Sequence, residues 1–478
     1  MKKISVAVLI TMMFSSLPSI ANNTLPDIGT SASTTLSVAQ ENEMGDFYIR
    51  AIRGSTPLIN DPVLNVYINS LGNSLAKYAD GGNQIFNFHL VNNDEINAYA
   101  FFGGHVVFHS GLFREVTDEN ELASVVAHEI AHITQRHLAR AMEAQKKQSP
   151  LTWAGVLGGA LLTMANPNAG MAAVTGSLAS SQQSAISFTQ SNEREADNIG
   201  LNIMQRAGFD ARGMNNFMQK MADNARHSSK PPQMLLTHPL PDSRLADARS
   251  RTYQLTEKAR PSSMDFYFAK AKVLALYGNK NGNNTFAFDA LLKGNQYSIN
   301  AHTYGSALKQ MEKRQYAKAF ELLSPLYESM PDNIWLIDAM TDIDLGQGQA
   351  TRAITRLEVA LTKPLFKNNP VIEINLANSY ISVGQFAKAN RLLFNITRRN
   401  PNDVNAWYLL AESAAKLGDR AQELSARAES YALGANIEGA IGLLKQAVTY
   451  TDNNQEKAKL NARLKQFEAL KLRFENYR

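Results

Sequence analysis

A chain of 478 residues, 44% hydrophobic and 19% charged, is long enough for two or three domains with cores of their own and too apolar for a disordered protein. Its formal charge of +5 falls to +3 without Lys2 and Lys3, and no Lys/Arg cluster is interleaved with aromatics, which argues against a nucleic-acid partner. There is no cysteine, so disulfides, thiolate metal sites and a lipid-bearing cysteine are excluded, and any metal must be held by imidazole and carboxylate.

Lys2-Lys3, the apolar run Ile4 to Phe14 and the small-x-small site Ser19-Ile20-Ala21 read as a secretory signal peptide over residues 1–21. The run is too short to span a bilayer. A polar, turn-rich stretch over 22–40 is expected to be a flexible leader, ahead of a domain over 41–262. "SVAQENEMGDFYIRAIR" and "DPVLNVYINSLGNSLAKYA" have the three-to-four apolar spacing of two amphipathic helices. "IFNFHLVNN" alternates Phe86, Phe88 and Leu90 inward as a strand, and in "AYAFFGGHVVFHSGL" Gly103-Gly104 is a turn before the strand formers Val106, Val107 and Phe108. Asp118 with Glu121 resembles a capping box opening the next helix, which carries "VVAHEIAHITQRH".

On that helix, residues four apart differ by about 40° around the axis, so His128 and His132 share a face and can bind one ion. Glu129 points to the side, where it can reach a water at the metal without becoming a ligand. The bland alternative is a pair of hydrogen-bonded core histidines. A catalytic metal needs a third protein ligand and an open position. HExxHxxGxxH is excluded, because Gln135 and Leu138 stand where Gly and His would be required. On a continuous helix His137 would lie about 140° from His132. A glutamate on a later helix is the other source. In "SNEREADNIGLNIMQRAG", capped by Ser191 or Asn192, Glu193, Asp197 and Leu201 share a face. Glu193 is the expected ligand and Asp197 the acceptor of an imidazole N–H, which fixes the tautomer. Glu195, about 200° round the helix, is expected to be solvated. Taken alone, an acidic helix start would be no more than dipole complementarity.

Between these motifs, residues 148–192 carry no charge. The segment 151–186 reads as helices packed within the domain, or as a lid or hairpin touching lipid or substrate. The last third changes character. "QYAKAFELLSPLYESMPDN" (315–333) aligns without gaps on "QFAKANRLLFNITRRNPND" (385–403), an offset of 70, and "GQATRAI" stands 36 residues before "GQFAKAN". A repeat near 35 residues is a tetratricopeptide signature, and stacked helical pairs make a solenoid with a concave face, placed over 265–478. The fold class is mainly α: an α+β metalloprotease domain with a small sheet, followed by an α-helical solenoid.

"HEIAH", then "EREAD", then "THPLPDSRLADAR" (237–249) together resemble metallopeptidase family 48, a family of zincins. With a signal peptide in front and repeats behind, the resemblance is to the periplasmic members of that family, and it covers essentially the whole chain. It implies that His128, His132 and Glu193 bind one Zn²⁺ and that Glu129 is the general base. It also implies a Gram-negative periplasm, misfolded proteins as substrates, and outer-membrane β-barrel proteins with their assembly machinery as partners of the repeats. An edge strand that pairs with an extended substrate would be drawn from the upstream segment "NAYAFFGGHVVFHSG", with Gly104, His105, Val106 and Val107 as its contact residues. His105 and His109 are then structural or substrate-contacting and not ligands. His238, on a loop between prolines, either stabilises the oxyanion or occupies the open coordination position as a plug, with Arg244 anchoring the loop. Two other classes compete: a periplasmic chaperone or scaffold with a vestigial site, and a membrane-embedded protease using 151–186.

Overall fold

The structure, a computed structural model, describes residues 36–80, 84–144, 189–227, 231–253, 255, 260–277 and 282–477; the expected signal peptide and the segment 151–186 lie outside them. Ser37 and Gln40 form a capping box that starts α1 (Val38–Ser55) within the stretch read as leader. Asp61 caps α2 (Pro62–Ala76), which has Pro at its first position. Three strands follow: β1 (Asn87–Val91), β2 (Ala98–Phe101) and β3 (His105–His109).

The sheet order is β1-β3-β2, with β3 parallel to β1 and antiparallel to β2. This corrects the expected edge strand: His105, Val106 and Val107 open the central strand, paired on both sides, and Gly104 lies in the turn before it. The reversal is made by Gly103 and Gly104 at φ 76° and 75°, and a Cβ on Gly104 would come within 2.0 Å of the Ile85 carbonyl oxygen. Of the two true edges, β1 is sealed from within. The Asn69 carboxamide grips Phe88 at both its N–H and its C=O, and the Ile59 amide donates to the Leu90 carbonyl. β2 is the edge beside the histidine helix.

Alternation along the strands sends Phe88, Leu90, Val106 and Phe108 into the main core, and Val91, Tyr99, Phe101 and Val107 into a second cluster against α1. His105 and His109 take that second face, turned away from the histidine helix. His105 meets His89 (3.0 Å) and stacks on Phe101, while His109 is fully buried edge-on to Tyr99.

After the short α3 (Leu112–Glu115), the histidine helix α4 (Glu119–Thr134) is buried along most of its length. Then come α5 (His137–Ala144), α6 (Gln190–Arg206), α7 (Arg212–His227), α8 (Gln233–Thr237) and α9 (Asp242–Tyr253). α6 and α7 pack on α4. The repeat region comprises α10 (Met264–Leu276), α11 (Gly282–Asp289), α12 (Gln296–Glu312), α13 (Tyr316–Ser329), α14 (Ile334–Gly346), α15 (Ala350–Leu361), α16 (Pro370–Ser382), α17 (Phe386–Arg399), α18 (Val404–Leu417), α19 (Arg420–Leu433), α20 (Ile437–Thr449) and α21 (Asn454–Phe474). The aligned segments become α13 and α17. Gly348, Gly384 and Gly418, at φ 70°, 76° and 77°, make the recurrent turn between paired helices.

The solenoid does not stand apart. One apolar cluster runs from Ile59 to Val371, across both regions. Within the junction, buried Lys272 of α10 reaches Asp61 (2.6 Å) at the α2 cap and Asp338 (2.9 Å) on α14, and Asn375 satisfies the second Asp338 oxygen. At the far end of the array, Arg50 and Arg53 of α1 donate to the Ala432 and Leu433 carbonyls, and Phe47 packs edge-on against Phe474.

Lys272→Met leaves Asp61 and Asp338 without their shared cation, and a lower denaturant midpoint corresponding to about 3–5 kcal/mol is expected. Burial pushes the His109 pKa down to about 4. The unfolded chain therefore takes up a proton there below about pH 6.5 while the folded chain does not, so stability falls with pH through that window. His109→Leu is expected to lose about 2–3 kcal/mol less than the wild type between pH 7 and 4.5, read from urea midpoints; equal losses would refute the assignment.

Candidate metal centre

α4 and α6 approach closely because Gly200 faces α4, where a Cβ would stand 3.3 Å from the His128 backbone nitrogen. The approach brings the separated sequence motifs together. His128 Nε2 lies 3.0 Å from His132 Nε2 and 3.5 Å from Glu193 Oε2, and His132 Nε2 lies 3.4 Å from Glu193 Oε1. His238, which ends α8, brings its Nδ1 to 3.1 Å from Glu193 Oε1 and 3.4 Å from His128 Nε2. One donor atom from each of the four side chains, all buried, lies within 4.8 Å of the others.

The donor set fits a tetrahedral divalent ion. Zinc bonds of roughly 2.0–2.1 Å place ligand atoms about 3.3 Å apart, and the observed separations fall around that value. Three imidazoles and a carboxylate, with no thiolate, are also ligands that zinc accepts.

Support behind the ligands comes from α6 and α9. Asp197 Oδ1 lies 3.0 Å from His128 Nδ1, leaving Nε2 for the centre. Arg244 donates to both Asp197 oxygens at 2.8 Å, pairs with Glu193 at 2.6 Å and holds the Pro239 carbonyl at 2.6 Å. It thus ties the His238 loop to both acidic residues. Glu129 is fully buried beside the cluster, 3.5 Å from His238 Nε2, and its carboxylate makes no regular hydrogen bond with the protein.

Burial and the close packing of opposite charges shift the groups of the centre. Burial opposes charge on Glu193, but His238, His128 and His132 hold its carboxyl well below the usual value. Burial likewise opposes charge on Asp197, and His128 with Arg244 outweighs it. Burial opposes a proton on His128 as well, yet Asp197 and Glu193 raise its pKa to about 10. Burial carries the His132 pKa well below the ordinary imidazole value, with His128 and His238 adding to the effect. Burial also pushes the Glu129 carboxyl up, against the pull of His238 and His128.

Comparison with known proteins agrees with this geometry. The family model described as peptidase family M48 matches residues 62–252, and a tetratricopeptide-repeat model matches 344–413. The chain is 52% identical over 459 residues to the β-barrel assembly-enhancing protease of Yersinia pestis, covering 96% of this chain and 94% of that one. Its likeness to the protein of the same name from Escherichia coli (strain K12) is 51%, covering 95% and 93%. The chain belongs to the β-barrel assembly-enhancing protease family. It is a peptidase of family M48 joined to tetratricopeptide repeats. A more distant relative, the metalloprotease LoiP of Escherichia coli (strain K12), is 27% identical over 197 residues, covering 39% of this chain and 69% of that one.

Two sequence expectations need correction. Glu195 is only part-exposed and not simply solvated: it accepts from His137 Nε2 (3.0 Å) and Arg140 (2.7 Å). His137, set aside because a continuous helix would aim it away, is fully buried with Nδ1 2.9 Å from His132 Nδ1. The helix is not continuous there. α4 ends at Thr134, Arg136 adopts φ 50°, and α5 starts anew at His137. A sequence sign existed only in part, since nothing local requires a left-handed arginine.

Asp197→Ala removes the anion behind His128 and is expected to weaken divalent-metal affinity about 10–100-fold, read by chelator competition. Unchanged affinity would contradict the support drawn above.

Proposed function

We propose that this chain is a periplasmic zinc endopeptidase that acts in the assembly and quality control of outer-membrane β-barrel proteins. The observation that carries the chemistry is the convergence of His128, His132 and Glu193 at tetrahedral separations beside a buried Glu129. The relatives' shared name and near-full-length identity support the cellular role.

In this reading His128, His132 and Glu193 hold the zinc. The ion, when bound, supplies Lewis acidity that polarises a peptide carbonyl and acidifies a water. Glu129, its pKa raised by burial, takes the water's proton and returns it to the leaving amine. An extended client segment adds to β2, whose Ala100 amide faces Glu129. An apolar client side chain fits the cavity beside His128 and His238 lined by Val125, Met214, Phe217, Met218 and Leu235.

His238 supports latency. Its Nδ1 stands at separations that suit a fourth ligand, where the imidazole would occupy the position that a substrate needs. Movement of its loop would open the site, and the Arg244 contact to Pro239 sets how readily it moves. The repeats would hold the client or the assembly machinery. Among the described residues no helix is long and apolar enough to cross a membrane; any peripheral membrane contact would be made by the segment 151–186.

Glu129→Gln should lower peptide cleavage about 10²–10⁴-fold while zinc content stays stoichiometric. If that variant kept all cellular function, the protein would act as a chaperone or scaffold with an incidental site. For His238→Ala, faster cleavage at unchanged zinc content is expected. Slower cleavage would assign the imidazole to the oxyanion.

A further inference from the structure

We propose that Glu195 and His137 form a positioning relay that fixes the tautomer and ring orientation of His132, as Asp197 does directly for His128. The proposal rests on the reading of this centre as a metal site.

The contacts run in series. His132 Nε2 faces Glu193 and His128, while its Nδ1 lies 2.9 Å from His137 Nδ1. His137 Nε2 lies 3.0 Å from Glu195 Oε2, and Arg140 holds the same carboxylate at 2.7 Å. With the His132 Nε2 lone pair turned to the centre as a metal ligand, one arrangement of protons fits these contacts. Glu195 is anionic and accepts the Nε2–H of His137. His137 then has a lone pair at Nδ1, which accepts the Nδ1–H of His132. His132 is left with its Nε2 lone pair directed at the centre, as a metal ligand requires. With His132 protonated at Nδ1, the opposite tautomer of His137 would set two N–H groups against each other at 2.9 Å and its Nε2 lone pair against the Glu195 carboxylate.

The surroundings fix this geometry. His137 is fully buried, and its ring stands 77° from that of His132 with centroids 4.8 Å apart. Its direction depends on the left-handed backbone at Arg136, whose guanidinium is held by Glu41 (2.9 Å) and the Leu36 carbonyl (2.7 Å). A non-glycine residue at positive φ persists only when its surroundings over-determine it. Here they do, and the consequence is the contact with His132. The two ligands from α4 are therefore supported differently: His128 by a buried anion, His132 by a neutral imidazole whose own anion reaches the surface.

The test uses the mature full chain, with Zn²⁺ affinity measured by chelator competition for the wild type, His137→Leu, His137→Asn, Glu195→Gln, the double variant His137→Leu with Glu195→Gln, and His128→Ala. His137→Leu is expected to bind zinc about 10–100-fold more weakly. His137→Asn, whose carboxamide oxygen can sit where Nδ1 sat, should recover most of that loss. Glu195→Gln, on a part-exposed side chain that leaves the core intact, should weaken binding by less. In the double variant the effect of Glu195→Gln should vanish, because a link removed upstream leaves nothing to transmit. Wild-type affinity in His137→Leu, no rescue by His137→Asn, or an undiminished Glu195→Gln effect in the double variant would each overturn the relay. A wild type that binds zinc no better than His128→Ala would overturn the metal reading itself.

Discussion

Two carboxylates on α6, Glu193 and Asp197, remain ionised inside the protein, and the rest of the catalytic region is arranged around that constraint. A buried carboxylate is costly unless cations and donors surround it. Arg244 supplies the fixed cation, bridging both residues, and the imidazoles of α4 together with His238 supply further contacts. The same arrangement that stabilises the carboxylates makes the centre attractive to a divalent ion. Arg244 also reaches the Pro239 carbonyl, so the loop carrying His238 is tied to the charge balance of the site and not only to its surface.

The catalytic region and the repeats behave as one packed unit. Lys272 plays in the junction the part that Arg244 plays in the site, a buried cation shared between acids from different elements. The array also returns to α1 through Arg50, Arg53 and Phe47. α1 is the helix whose Glu41 holds Arg136, at the end of the histidine helix. A contiguous set of contacts therefore links the last repeats to the support of His132. It gives the solenoid a physical route to the centre.

Much of this protein was legible in its sequence because the informative patterns were local. The i, i+4 spacing of His128 and His132 places both rings on one face of any helix, whatever surrounds it. Glu193 and Asp197 share a face for the same reason, and that face meets the imidazoles of α4. The repeat at an offset of 70 needed no more than self-similarity, and α13 and α17 occupy the aligned segments. Where the reading failed, it had extended a local rule past its range. His105 to Val107 has strand character, but strand character does not say which strands lie on either side.

What the sequence determined by itself was the inventory: helices with caps, a histidine pair on one face, an acidic helix to complete it, and a stack of helical pairs. The tertiary structure decided the rest, because it depended on contacts between residues far apart in the chain. Pairing on both sides placed β3 at the centre of the sheet and left β2 as the edge beside α4. Glu41, 95 residues before Arg136, supports the left-handed turn that aims His137 at His132. No helical periodicity encodes such a turn, since its energy is supplied by a partner that only folding brings near.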